Sequence, residues 1–195
     1  MEAEFKKVAV LGAGVMGSQI AAHIANSGVE VLLFDMDQDL AEAGIKSALK
    51  IKPNAFFIPE NSELITACNY NNDLGKIQEC DWILEVIAEK LEWKVELYDK
   101  ISNYIADKAI ITSNTSGLLL KDLTAKMDEK LIPKFFITHF FNPPRYMKLV
   151  EIISSSKTES RYINVIINFL QENLGKGVVK ANDTPNFIAN RIGVY

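Results

Sequence analysis

The chain has 195 residues, of which 48% are hydrophobic and 24% charged, with a formal net charge of −4 and only two cysteines and two histidines. That length suits one sizeable α/β domain and is short for two. The acidic balance lacks the footprint of a nucleic-acid binder, and no apolar run approaches the about 18 residues of a membrane span. Cys68 and Cys80 have no metal-ligand spacing and read as free thiols in a reducing compartment, no metal being expected. The N-terminus runs straight into a strand with no room for a signal peptide, so the expected location is cytoplasmic.

Val8-Ala9-Val10-Leu11 is a short continuous apolar run, the pattern of a buried parallel strand. Gly12-Ala13-Gly14-Val15-Met16-Gly17 follows, and then Ile20, Ala21, Ile24 and Ala25 recur at helical spacing up to a stop at Gly28. Val31–Phe34 predicts a second strand ending at Asp35, and Leu40–Ile51 a helix. Lys52–Ser62, with Pro53, Pro59 and Phe56-Phe57-Ile58, reads as a loop or the end of a protruding helix. Strands are predicted at Leu64–Tyr70, Trp82–Ile87, Ala109–Thr112 and Phe135–His139, with an amphipathic helix marked by Leu91, Val95, Tyr98, Ile101 and Ile105. Leu149–Ile153 is a strand reached by a loop too short for a parallel crossover, so it should run antiparallel to its predecessor. A helix over about 158–173 stopped by Gly175, a short strand at Gly177–Lys180 and a last helix opened by Pro185, still running at Tyr195, complete the reading. The alternation implies an α/β fold, a Rossmann-like doubly wound and mostly parallel sheet with an antiparallel extension near the C-terminus.

Gly12, Gly14 and Gly17 fit G-x-G-x-x-G at a strand-to-helix turn. The first glycine permits the turn, the second lets backbone approach a pyrophosphate, and the third packs helix on strand. Val15 and Met16 open the helix, whose free N–H groups and dipole favour phosphates. Asp35 ends the second strand, where a carboxylate accepts from both ribose hydroxyls and repels a 2′-phosphate, which favours NAD over NADP; a tight turn without nucleotide is the plain alternative. Glu85 and Glu89 follow the Trp82 strand, and either lines the cleft or belongs to a solvated helix start.

The chemistry is expected from His139 and Glu151, twelve positions apart on two successive apolar strands. A carboxylate on one ring nitrogen fixes the tautomer and stabilises the imidazolium, leaving the other to take a proton from a substrate hydroxyl as hydride leaves the same carbon. The plain alternative makes Glu151 an edge-strand surface residue. Ser116, after the Ala109 strand, is a small donor for a substrate oxygen and also a candidate helix N-cap. Asn190 lies on an otherwise apolar helix face and is either a substrate ligand or an interdomain hydrogen bonder. His23, inside the first helix, reads as a packing or surface residue.

Leu11 to Ser18, Glu85-Val86-Ile87-Ala88-Glu89, Ser113-Asn114-Thr115-Ser116, His139-Phe140-Phe141-Asn142-Pro143 through Glu151, and Lys180 to Arg191 together resemble the NAD-binding domain of 3-hydroxyacyl-CoA dehydrogenases, over nearly the whole chain. The resemblance implies His139 as general base with Glu151 its partner, Ser116 and Asn190 around the reacting oxygen, and Gly12, Gly14, Gly17, Asp35, Glu89 and Lys94 in contact with NAD. It implies reversible oxidation of an L-3-hydroxyacyl-CoA to the 3-ketoacyl-CoA in fatty-acid β-oxidation. It further implies residues 1–184 as the NAD-binding domain and 185–195 as the start of a helical C-terminal domain that closes the cleft and usually makes a homodimer.

Three departures accompany the resemblance. Gly117 replaces a second serine. The Pro143-Pro144-Arg145-Tyr146 loop and the Phe56-Phe57-Ile58-Pro59 stretch look like members fused to an enoyl-CoA hydratase-like domain, and for CoA contacts only Ser47, Lys50 and Lys52 are candidates. Without the helical domain the chain is expected to bind NAD with little turnover and to self-associate through the apolar face of the Pro185 helix. Two other readings stand beside this one. A β-hydroxyacid-type dehydrogenase would need a catalytic lysine segment, which is not found, and a non-catalytic NAD-binding module would not need His139, Glu151, Ser116 and Asn190 together.

Overall fold

The structure is a computed structural model that describes residues 5–193. Eight strands form one sheet: β1 (Lys7–Leu11), β2 (Glu30–Asp35), β3 (Ile65–Asn69), β4 (Trp82–Glu85), β5 (Ile110–Ser113), β6 (Phe135–Phe140), β7 (Leu149–Ile153) and β8 (Gly177–Ala181), in the order β3-β2-β1-β4-β5-β6-β7-β8. The pairs from β3 through β6 are parallel, β7 runs antiparallel to β6 as its short connection requires, and β8 is parallel to β7. The order reverses between β1 and β4, and there an open α/β sheet leaves a crevice at its carboxyl edge.

Consecutive residues of the central strands feed opposite faces. Val8 and Val10 join Val31, Leu33 and Leu84 in one core with Ile20 and Ile24 of α1 (Val15–Ala25) and Phe169 and Leu170 of α5 (Ser160–Glu172). Ala9 and Leu11 join Phe34, Ile83 and Ile111 in a second core with Leu97, Tyr98 and Ile101 of α3 (Leu91–Ile101). Burial on both faces explains why these strands read as continuous apolar runs rather than alternating ones. α2 (Gln38–Lys50) packs against α1 and starts where the Asp37 side chain accepts from the Leu40 N–H, two residues before the predicted start. A further short helix, α4 (Leu120–Leu123), has no counterpart in the predicted elements.

Residues 52–58 form no helix. Ala55 and Phe56 drop into the α1 core, and a 3-10 turn over Pro59–Leu64 leads into β3. Arg145 latches this segment by donating to the carbonyls of Asn54 and Phe56, at 2.8 and 2.7 Å. Pro185 does not open the last helix. Asn186 and Phe187 take φ of 64° and 47°, in the left-handed region that no helix contains, so α6 begins only at Ala189 and is described to Gly193. Its predicted continuation to Tyr195 lies outside the described residues. The expected apolar helix face is correspondingly small: Ile188 and Ile192 are exposed, while Phe187 is buried. No helix among the described residues is long and apolar enough to cross a membrane.

His23 is packed, 4% exposed, and neither ring nitrogen reaches a hydrogen-bond partner among the described residues. Burial first, and then the charges of Lys176 and Arg145, lower its pKa from 6.5 to about 4. As pH falls, the unfolded chain therefore takes up this proton before the folded one. The His23 contribution to stability is intact above about pH 6.5 and is lost between there and about pH 4, by up to about 3 kcal/mol. His23→Leu is expected to flatten that part of the acid limb. Unfolding midpoints of both proteins from pH 7 to pH 4 check it, because carboxylate protonation is common to the two and cancels in the difference.

Candidate active site

The Gly12–Gly17 loop leaves β1 at the crevice. Gly12 has φ of 113°, and a Cβ there would stand 2.8 Å from the Val86 carbonyl oxygen. A Cβ on Gly17 would lie 1.8 Å from the Gly12 carbonyl oxygen, so this glycine lets α1 close on β1. Gly14 differs, since a Cβ there meets nothing within 4 Å and the space in front of it is open. The first helical bond of α1 runs from the Ser18 N–H to the Gly14 carbonyl at 2.9 Å, which leaves the N–H groups of the preceding turn for a ligand. Val15, at 63% exposure, borders this opening, with Met16 half-buried behind it. Asp35 at the end of β2 accepts from the Ala13 N–H at 2.7 Å and the Met36 N–H at 2.7 Å, so one carboxylate supports the loop from the side where a ribose would lie. A glycine cradle, an open helix N-terminus and an acid on the neighbouring strand fit an adenine dinucleotide without a 2′-phosphate.

Across the crevice, the antiparallel register sets His139 directly opposite Glu151. His139 Nδ1 lies 2.8 Å from Glu151 Oε2, with the histidine 4% and the glutamate 1% exposed. The surface-residue alternative for Glu151 is thereby excluded. The second oxygen, Oε1, accepts from the backbone N–H groups of Ile188 and Ala189 at 3.0 and 2.8 Å. The imidazole is flanked by Phe141 and Phe187, with ring centroids 4.4 and 5.7 Å away. With Nδ1 committed to a carboxylate, Nε2 is the nitrogen left to exchange a proton with a substrate.

Ser116 stands in the turn after β5. It is not a helix N-cap, because α4 starts only at Leu120; it is Thr115 Oγ1 that accepts from the following Leu118 N–H, at 3.0 Å. Glu89 organises this turn: its Oε1 takes the Thr115 hydroxyl at 2.5 Å, the Ser116 N–H at 2.9 Å, the Ser116 hydroxyl at 3.3 Å and the Gly117 N–H at 3.1 Å. Burial opposes ionisation of Glu89, but the Thr115 hydroxyl, the Lys94 charge and these N–H groups outweigh it and hold its carboxyl below the ordinary glutamate range. Asn190 Nδ2 donates to the Ser116 carbonyl at 3.2 Å, bringing two widely separated candidates together.

Glu85 is placed otherwise than expected. Glu85 is the last residue of β4 and is fully buried, so it neither lines the cleft nor starts a solvated helix. The Lys94 side chain is 1% exposed, pairs with Glu85 at 2.5 Å and brings its ammonium to 3.6 Å from Glu89 Oε2. Several supports escaped the sequence reading. Phe187 is held against His139 by its left-handed backbone, and Asn114 Oδ1 accepts from the Phe140 N–H at 2.9 Å, fixing the end of β6. Asn114 lay within a noted polar run, whereas nothing in the pattern marked Phe187.

A dinucleotide cradle facing a buried histidine–carboxylate pair on one sheet edge defines the class, a nicotinamide-dependent dehydrogenase domain. The chain belongs to the family described as "3-hydroxyacyl-CoA dehydrogenase, NAD binding domain", whose pattern covers residues 7–184. It is 45% identical over 199 residues to a "Probable 3-hydroxyacyl-CoA dehydrogenase" of Deinococcus radiodurans, covering 98% of this chain and 58% of that protein. It is 48% identical over 202 residues to a Rickettsia felis protein named for a fatty acid oxidation complex trifunctional enzyme, covering 100% of this chain and 28% of that one. Among solved structures, a 3-hydroxyacyl-CoA dehydrogenase from Archaeoglobus fulgidus superposes with a TM-score of 0.80 at 31% identity, over 97% of this chain and 60% of that one. The chain thus spans little more than half, or about a quarter, of the two curated relatives.

The glycines give a test that separates packing from ligand approach. Gly17→Ala, which drives a Cβ into backbone, is expected to cost about 3 kcal/mol or more in denaturant unfolding. Gly14→Ala is expected to stay within about 1 kcal/mol of the parent and yet weaken NADH binding in a fluorescence titration.

Proposed function

We propose that the protein is the cofactor-binding part of an NAD-dependent L-3-hydroxyacyl-CoA dehydrogenase of fatty-acid β-oxidation, with His139 as general base. The observation that carries the reading is the buried His139–Glu151 pair at 2.8 Å, at the carboxyl edge that also holds the glycine loop. NAD, when bound, supplies the hydride acceptor. His139 Nε2 takes the proton of the 3-hydroxyl as the carbon gives up its hydride, and the hydroxyl oxygen becomes the carbonyl of the 3-ketoacyl product. Glu151 holds the ring in the Nδ1-protonated tautomer and stabilises the imidazolium after transfer. Ser116 and Asn190, joined by their hydrogen bond, border the reacting oxygen. Gly12, Gly14, Val15, Met16, Gly17 and Asp35 receive the adenosine and pyrophosphate portion, with Glu89 and Ser116 toward the reactive end of the cofactor. Asp35 sets the preference for NAD over NADP.

The relatives' greater length supports a working enzyme that contains further domains, among them a helical one that closes the cleft and forms a dimer, and in some cases a fused hydratase-like domain. Two buried, unpaired cysteines accord with a cytoplasmic setting.

In a chain extended to its relatives' length, His139→Gln is expected to lower turnover of L-3-hydroxyacyl-CoA on the order of a hundredfold or more while NADH affinity stays unchanged. NADH formation with a short and a long acyl substrate measures it; activity indifferent to the substitution would overturn the general-base assignment. The 195-residue chain by itself is expected to bind NADH with little or no turnover, and robust steady-state activity would refute the need for a second domain.

A further inference from the structure

The chain from Asn182 to Ile188 joins β8 to α6 and has little apolar anchorage. Phe187 is the one buried residue in it; Asn182, Pro185, Asn186 and Ile188 are exposed, and Asp183 and Thr184 are half-buried. Its backbone carries two successive left-handed residues, Asn186 at φ 64° and Phe187 at φ 47°. An asparagine tolerates that region, whereas a bulky aromatic keeps it only where the surroundings over-determine it. Polar contacts from outside the segment therefore fix its path.

Downstream, Ile188 and Ala189 donate to Glu151, and Asn190 adds one neutral bond to the Ser116 carbonyl at 3.2 Å. Upstream, the anchor is Asp183. Its Oδ1 accepts from the Leu120 N–H at 2.7 Å and its Oδ2 from the Lys121 N–H at 3.2 Å. Bonds to a charged acceptor are roughly twice as strong as neutral ones, so this is the firmer of the two flanking ties. It is made to a seated element, because Leu120 and Leu123 of α4 are each 1% exposed and lie in the core with Leu97 and Tyr98. From Asp183 to Phe187 the chain is short, and the Phe187 N–H donates to the Thr184 carbonyl at 3.1 Å, which closes the turn tightly. The turn also rests on the Ser116 loop. A Cβ on Gly117 would stand 3.3 Å from Asn186 Oδ1, so the glycine leaves the segment room to close.

We propose that Asp183 is a positioning residue for the His139–Glu151 pair. By tying the chain to α4 it sets where Ile188 and Ala189 present their N–H groups to Glu151 and where Phe187 meets the imidazole. Its importance to turnover rests on the reading of His139 as general base; the tie itself does not. A cap that served stability alone would leave the surroundings of His139 unchanged once the chain is folded.

Three variants separate positioning from stability: Asp183→Ala, Asp183→Asn, which keeps one acceptor oxygen for the Leu120 N–H, and Ile166→Val, a core truncation in α5 away from the segment. All three are expected to lower the unfolding midpoint. In the 195-residue chain, the low-field NMR resonance of the proton between His139 Nδ1 and Glu151 is expected to move in Asp183→Ala, with the Ile188 and Ala189 amides. Asp183→Asn should move them less and Ile166→Val not at all. The Ala13 amide, bonded to Asp35 in the cofactor loop, should stay in place throughout. In a chain extended to its relatives' length, kcat is expected to fall roughly tenfold in Asp183→Ala and to return in part in Asp183→Asn, with NADH affinity unchanged. Should Asp183→Ala fail to fold, Asp183→Asn carries the same readings. Resonances unmoved in both Asp183 variants, or moved as far in Ile166→Val, would overturn the proposal. So would turnover that falls in His139→Gln but holds in Asp183→Ala. Turnover indifferent to both substitutions, with the resonances moved, would instead support the tie and overturn the general-base reading.

Discussion

Both oxygens of the Glu151 carboxylate are committed, one to His139 Nδ1 and the other to the N–H groups of Ile188 and Ala189. The arrangement of the chemical half of the site depends on this one group. A buried carboxylate without partners would be untenable, and here charge-assisted bonds from a ring and two backbone amides replace its water. The same group thereby stops the turn over residues 185–188, opens α6, and holds Phe187 against the imidazole. The orientation of the histidine and the docking of the last described segment are consequently parts of one equilibrium. Loosening that segment removes two donors from Glu151 and one aromatic wall from His139.

The cofactor half is built on a different constraint, the absence of side-chain atoms. Gly12 and Gly17 bring β1, α1 and the Val86 loop closer than any Cβ would permit, and Gly14 keeps the approach to the helix N-terminus open. Asp35 then braces the loop through Ala13. Little here depends on long-range polar contacts, so this half is local in sequence. The two halves meet because parallel strands β1, β4, β5 and β6 all end on one edge, with β7 turning back there to offer Glu151.

Much of this was legible in advance. The glycine spacing after an apolar strand, the acid ending the next strand, and the short loop that forces β7 antiparallel are local patterns, and each element formed within a few residues of its predicted place. The His139–Glu151 pairing was legible for the same reason, because a short connection between two strands leaves few registers that keep both faces apolar. The errors arose where a local preference was overruled. Pro185 is a good first residue of a helix, but Glu151, far away in sequence, caps the chain three residues later. Glu85 carries the charge of a solvated residue, and its pairing with Lys94 together with the hydroxyls of Tyr98 and Ser113 makes its burial tolerable.

By itself the sequence determined which residue types stand at each strand end, the glycine cradle, and the topology that follows from loop lengths. These depend on backbone sterics and on periodicity, which act between near neighbours. Only the tertiary structure decided which carboxylate serves which partner. Glu151 takes both the histidine and α6, Glu89 takes the Ser116 turn, Glu85 takes Lys94, and Asn190 reaches Ser116. A charged side chain finds its partner through space, and the free energy that selects it comes from desolvation, which has no value until the sheet and its helices have closed around it.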